Sequence, residues 1–302
     1  MGSIFIGLQP NDYFAILMAV VVIGILTNAF IVLVNLRDWL KGQSLNSSDK
    51  LVVSLALSNT CFSIANAAIT TCAFFFVELV LVDYIYYILY GLVSYALFSS
   101  SWLSSWLCLF FFLKIITFQG GCFGWMKNKV ELLVPWLIFL SQVMSFVSVL
   151  PFFWTTTKVF AGNFTSSELI VIGYQTNSFY NYISLVVNCF VPFLIVTATT
   201  GRIIASLSLH AHHMKQNMED SSGPSLKVHQ VAARTMSLLL VIYLIFYVVE
   251  LSLGFLSQAS QFYWMCFMLI LLFPTLQSLV LITGNSKLRQ VCSDLMSCKR
   301  KH

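Results

Sequence analysis

Charge is what this chain lacks most. Only 9% of its 302 residues are charged and 59% are hydrophobic, whereas roughly a quarter of a soluble domain is charged. That balance excludes a soluble fold. The long apolar stretches also lack the marks of catalysis. None holds a His–Glu–x–x–His pattern or two carboxylates placed for acid–base work. His210, His212, His213, His229 and His302 all fall outside them, so no imidazole can activate a Ser, Thr or Cys there. The reading is therefore not an enzyme. The last stretch has no Lys before Lys287 at its edge, which excludes a retinal Schiff base. A pump would need a chain of midplane carboxylates, and Glu250 alone comes near. Residues 1–13 have no basic leader, so the first helix is expected to act as its own insertion signal.

What is present is a pattern of length and charge. Seven apolar stretches run approximately 14–36, 51–76, 85–113, 132–154, 181–203, 231–256 and 262–284. Each is near or above the ~20 residues that cross a bilayer core as helix. The sixteen Lys and Arg residues are segregated between the gaps. Arg37, Lys41 and Lys50; Lys114, Lys127 and Lys129; Arg202, Lys215, Lys227 and Arg234; and Lys287, Arg289, Lys299, Arg300 and Lys301 mark one side. Lys158 alone marks the other. The positive-inside rule puts the first set in the cytoplasm, the N-terminus outside and the C-terminus inside. The net charge of +5 then points to anionic membrane lipid and not to nucleic acid.

The expected fold is an all-α seven-transmembrane helix bundle, one receptor domain over 1–302. The longer connections are an outer one near 155–180 and an inner one near 204–230. Pro151, Pro192 and Pro274 predict kinks in or near helices 4, 5 and 7. After helix 7, Leu288, Val291, Cys292, Leu295 and Met296 recur at helical spacing with basic neighbours. They predict a short amphipathic helix on the inner leaflet. Cys292 and Cys298 are palmitoylation candidates, or ordinary reduced thiols. His210–His213 can be read as a metal-binding run or, more plainly, as a solvated helix end. Of two sequons, only Asn163-Phe-Thr lies on the outer side; Asn46-Ser-Ser does not. None of the eight cysteines lies clearly in an outer loop. No structural disulfide is therefore expected, although many seven-helix receptors pin the third helix to the second outer loop with one.

A receptor remains once enzyme, opsin and pump are set aside. Its outer half is rich in aromatic and small polar residues: Tyr84, Tyr86, Tyr87, Tyr90, Ser94 and Tyr95; Phe246, Tyr247 and Glu250; Phe262, Tyr263, Trp264 and Phe267. That mixture suits an apolar pocket with a few orienting groups; an interfacial aromatic belt accounts for some of it. Asp12, Glu78, Asp83 and Glu168 against Lys158 give an acidic mouth, which favours neutral or cationic ligands. Glu250 is either a pocket anchor or a carboxylate reaching to water.

The opposite ends are more specific. Helix 3 carries Trp102 and Trp106 and ends Phe111-Phe-Leu-Lys114-Ile-Ile, with no Asp–Arg–Tyr; helix 7 has no Asn–Pro–x–x–Tyr. The pattern resembles the type 2 taste receptors, the bitter receptors. Asn28, Asn35, Asp38-Trp39, Asp49, Leu55-Ala56 and Ser58 continue it. So do Pro192-Phe193, Ser206-Leu207, His210, Lys227-Val-His229, Pro274 and Asn285-x-Lys287-Leu288. The chain departs from that pattern at Asn59, where the family usually has Arg; at Leu97-Phe98, where it often has Asn–His; and at Gln277, where it usually has His. Asn28, Asn59 and Gln277 can form a smaller neutral network, or each can bond a nearby carbonyl.

The resemblance implies a G-protein-coupled receptor for a small-molecule agonist. By matching positions, Tyr90, Val93, Ser94, Leu97, Phe246 and Phe267 are pocket candidates; Tyr247 and Glu250 join them from the residues themselves. It also implies a heterotrimeric G-protein partner of the gustducin/inhibitory class, met by Lys114, Ser206, Leu207, His210, Lys227 and His229. A homo-oligomer stays open, and no cofactor is implied. Pheromone (vomeronasal type 1-like) receptors share the topology, and a non-signalling transporter is the remaining alternative.

Overall fold

The computed structural model describes residues 10–116, 121–161, 170–216, 224–256 and 261–298. The bundle helices are α1 (Pro10–Leu40), α2 (Ser47–Phe75), α3 (Asp83–Ile115), α4 (Gly121–Val149), α5, α6 (Pro224–Phe255) and α7 (Gln261–Gly284). α5 comes in two pieces, Ser178–Leu185 and Val191–Gln216, joined by a π-helical turn over Val186–Phe190. Among the described residues seven segments are long and apolar enough to span a membrane: Asp12–Leu40, Ser47–Phe75, Asp83–Ile115, Phe123–Thr155, Ser178–Ser206, Arg234–Leu253 and Phe262–Gly284. They coincide with the seven stretches of the sequence. α1 packs on α2 and α7, α2 on α3, α3 on α4 and α5, α5 on α6 and α6 on α7, which closes the ring.

Both long connections carry structure that periodicity did not reveal. Between α4 and α5 lies an antiparallel hairpin of β1 (Thr156–Ala161) and β2 (Ile170–Thr176). Thr156 pairs with Thr176 and Lys158 with Tyr174, with a register irregularity between Val159 and Phe160. Between α5 and α6 the helices themselves continue, to Gln216 and from Pro224. The hairpin marks one end of the bundle. Lys114, Lys127, Lys129 and Lys287 mark the other, the basic end.

α3 is the most enclosed helix. Its Ser99, Ser100, Ser101, Ser104 and Ser105 are all buried, and small side chains let neighbouring backbones approach. Two apolar clusters sit above and below a polar layer. One, toward the basic end, contains Ile31, Leu55, Leu103, Leu107 and Leu281. The other, toward the hairpin, contains Leu17, Phe62, Leu97, Phe98 and Phe273. Between them along each helix come Asn28, Asn59, Ser100 and Gln277, all buried.

The last helix, α8 (Ser286–Cys298), follows α7 directly. Asn285 caps it, its Oδ1 accepting from Lys287 N at 3.0 Å and Leu288 N at 3.3 Å. Leu288 is fully buried, and Val291 and Cys292 pack partly buried against the core at the basic end. Leu295 is exposed. The expected apolar face therefore divides: its first turns are held by the bundle, and Leu295 remains for the membrane.

Candidate functional site

A cavity of about 360 Å³ opens among α3, α5, α6 and α7 at the hairpin end, within the range of small-molecule sites. Ser94, Leu97 and Phe98 of α3 line it, with Ser178, Asn181, Ser184, Leu185 and Cys189 of α5. Tyr180 and Tyr182 of α5, Glu250, Leu251 and Leu253 of α6, Tyr263 of α7 and Phe152 line it as well. Among the described residues of that lining, Glu250 is the single acid or base apart from tyrosine and cysteine. Among the described residues no Lys, Arg or His forms an ion pair with it.

Of the eight pocket residues expected from sequence, Ser94, Leu97 and Glu250 line this cavity. The other five are not among its lining residues. Tyr90 stacks near Tyr86, ring centroids 4.3 Å apart, and Val93 packs against the apolar cluster. Phe246 is buried 4.3 Å from the Phe273 ring. Tyr247 lies parallel to Phe193 at 5.5 Å. Phe267 meets Trp264 edge-on at 6.2 Å. The α5 lining was missed. The one signal for it is Asn188, an amide in an otherwise apolar run four residues before Pro192.

The hairpin end carries one ion pair among the described residues. Lys158 Nζ reaches Asp83 Oδ1 at 2.8 Å, so the one basic residue of this end neutralises an acid of α3. Tyr174 also donates to Asp83 Oδ1 at 2.6 Å and to Leu81 O at 2.9 Å. Its ring stacks on Tyr86 at 3.8 Å and 16°. Desolvation first, and the Asp83 carboxylate second, hold the Tyr174 phenol above its ordinary range. β1 and β2 are thereby tied to the start of α3 without a covalent link.

Below the cavity the neutral network closes. Asn59 Nδ2 donates to Gln277 Oε1 at 2.7 Å and to Asn28 Oδ1 at 3.3 Å. Ser100 Oγ donates to Asn59 Oδ1 at 2.8 Å, and Gln277 Nε2 to Ser104 Oγ at 2.7 Å. Asn28 Nδ2 adds bonds to Gly24 O at 2.8 Å and Pro274 O at 3.3 Å. Gly24 lets α1 approach α7 closely there: a Cβ would lie 2.9 Å from Thr275 Oγ1, so that side chain would have to shift. α1, α2, α3 and α7 are joined in one buried polar layer.

At the basic end Lys287 Nζ sits 2.7 Å from Asn35 Oδ1, 3.0 Å from Asp38 Oδ2 and 3.6 Å from Asp49 Oδ2. Asn285 Nδ2 donates to Asp49 Oδ1 at 3.3 Å. The start of α8 is thus fastened to the ends of α1 and α2. Lys114, expected to face a partner, pairs with Glu131 at 3.0 Å and lies over the Phe110 ring. Ser206 is half-buried on α5. Asn163 lies outside the described residues, as do the side chains of Leu207, His210, Lys227, His229 and Cys298.

The family model "Taste receptor protein (TAS2R)" matches residues 7–300. The chain is 27% identical over 292 residues to Taste receptor type 2 member 41 of Pan paniscus, covering 92% of each. It is 29% identical over 301 residues to the member 41 protein of Rattus norvegicus, again covering 92% of each. Taste receptor type 2 member 39 of Homo sapiens is 28% identical over 295 residues, or 91% of this chain and 83% of that relative. These matches do not favour the pheromone-receptor and transporter alternatives. The chain belongs to the type 2 taste receptor family: it is a bitter-taste receptor of the G-protein-coupled class, not an enzyme, and a multi-pass protein of the plasma membrane.

Proposed function

We propose that the hairpin end faces outward and that its cavity takes small apolar agonists bearing a protonated nitrogen. The observation that carries this is Glu250 in the cavity wall, half-buried and with no ion-pair partner among the described residues. Phe98, Phe152 and Tyr263 supply apolar and aromatic faces around it, and such faces attract cations. A neutral agonist fits the same walls but gains nothing from the carboxylate.

The basic end then faces the cytoplasm and engages a G protein of the gustducin/inhibitory class. Ser206, Leu207, His210, Lys227 and His229 at the ends of α5 and α6 are the coupling set, with Lys114 released from Glu131 when it takes part. An agonist shifts the equilibrium only by its differential affinity for the coupling-competent state. Asn163, in the segment that connects β1 to β2, carries the glycan in this orientation.

The test is expression with a promiscuous G protein, a calcium readout and matched pairs of amine and neutral isostere. Responses to the amines that exceed those to the isosteres support the reading. Equal potency within pairs removes Glu250 from it.

A further inference from the structure

Pro135 and Pro274 lie inside uninterrupted α-helix. Among the described residues only α5 makes a π turn, over Val186–Phe190, just ahead of Val191 and Pro192. Proline alone therefore does not produce that turn in this bundle. What α5 has in addition is Asn188 within the turn, fully buried. Its Oδ1 accepts from Trp102 Nε1 of α3 at 3.2 Å and from Ser148 Oγ of α4 at 3.2 Å. Its Nδ2 donates to Ser184 O at 3.1 Å. One amide thus joins three helices, directly beneath the α5 wall of the cavity.

A π turn amounts to one extra residue in an α-helix. At 3.6 residues per turn, that residue rotates everything beyond it by about 100°. Ser178, Asn181, Ser184 and Leu185 line the cavity on one side of the turn, and Phe193 meets Tyr247 of α6 on the other. Both facings hold only while the extra residue is kept in place.

We propose that Asn188 is a specificity-determining positioning residue. By tying the π turn to Trp102 and Ser148, it selects which α5 side chains line the ligand cavity. It touches no ligand itself; it acts through Ser184 and Leu185. The inference rests on reading the cavity as the ligand site. Once Asn188 is replaced, the Trp102 and Ser148 donors have no acceptor in the π turn to hold, and α5 is free to relax to regular helix.

The test separates register from hydrogen bonding. Leu185→Cys is labelled on intact cells with a positively charged, membrane-impermeant methanethiosulfonate reagent, over the background of the parent chain. Access governs thiol reactivity, so Asn188→Leu should slow labelling by about tenfold as α5 turns. Deleting Asn188 removes the amide and the extra residue together, so labelling should return to within about twofold of the parent. A rate unchanged by Asn188→Leu, or a deletion as slow as the substitution, overturns the proposal. Should Asn188→Leu fail to reach the surface, Trp102→Phe with Ser148→Ala strips both donors and is read by the same two criteria. Labelling needs no agonist, so a failure of the ligand assignment leaves this outcome legible.

Discussion

Asn59 Nδ2 lies 2.7 Å from Gln277 Oε1, which ties α2 to α7 through two neutral amides. The two amides face each other there, and Ser100 and Ser104 complete their bonding. A charge at one position without its counterpart would be buried and unpaired, which a membrane core tolerates poorly.

Asn59→Leu and Gln277→Leu should each destabilise the receptor by about 1–3 kcal/mol, because each strands buried partners. The double variant should cost less than the sum, with a coupling of roughly 0.5–3 kcal/mol. Thermal unfolding of the purified receptor measures both. Strict additivity would show that the contact does not bind α2 to α7.

Lys287→Met should release α8, because Asn35, Asp38 and Asp49 lose their common cation. Hydrogen exchange over Ser286–Cys298 should accelerate while α1 and α2 stay protected. Lys287→Arg should retain protection. An α8 that stays protected in the Met variant would assign its docking to Leu288 alone.

The hairpin tie should depend more on Tyr174 than on Lys158. The Lys158–Asp83 pair is largely exposed, and such pairs contribute little and are screened by salt. Tyr174→Ala removes the stack on Tyr86 and two hydrogen bonds. Proteolysis of the hairpin should rise more for Tyr174→Ala than for Lys158→Ala. High salt should mimic only the second.

Glu250→Gln should raise the half-maximal concentration of amine agonists by about tenfold, the loss of roughly 1.4 kcal/mol of charge attraction. Neutral agonists and surface expression should not change. Equal effects on both classes would return Glu250 to a carboxylate that merely reaches water.

Periodicity, length and charge made the bundle legible before any coordinates. Seven apolar stretches had to become helices because a bilayer leaves no other partner for their backbone groups. The amides Asn28, Asn59 and Gln277 could be grouped from sequence because polar residues in such stretches seek one another. The hairpin was not legible: its pairing of Thr156 with Thr176 and Lys158 with Tyr174 depends on two segments brought together by α4 and α5. The α5 lining was hidden for a related reason. A one-residue change of register leaves composition untouched but turns the helix by about 100°, which changes the side chains that face inward.

Composition and the segregation of Lys and Arg by themselves determined that this chain is a seven-helix membrane protein, because hydration of charge and burial of apolar area act on each residue wherever it finally packs. Only the tertiary structure decided which residues line the cavity and that Asn188, Trp102 and Ser148 meet. Those facts depend on helix rotation and on contacts between residues distant in the chain, and no local property of the sequence specifies either.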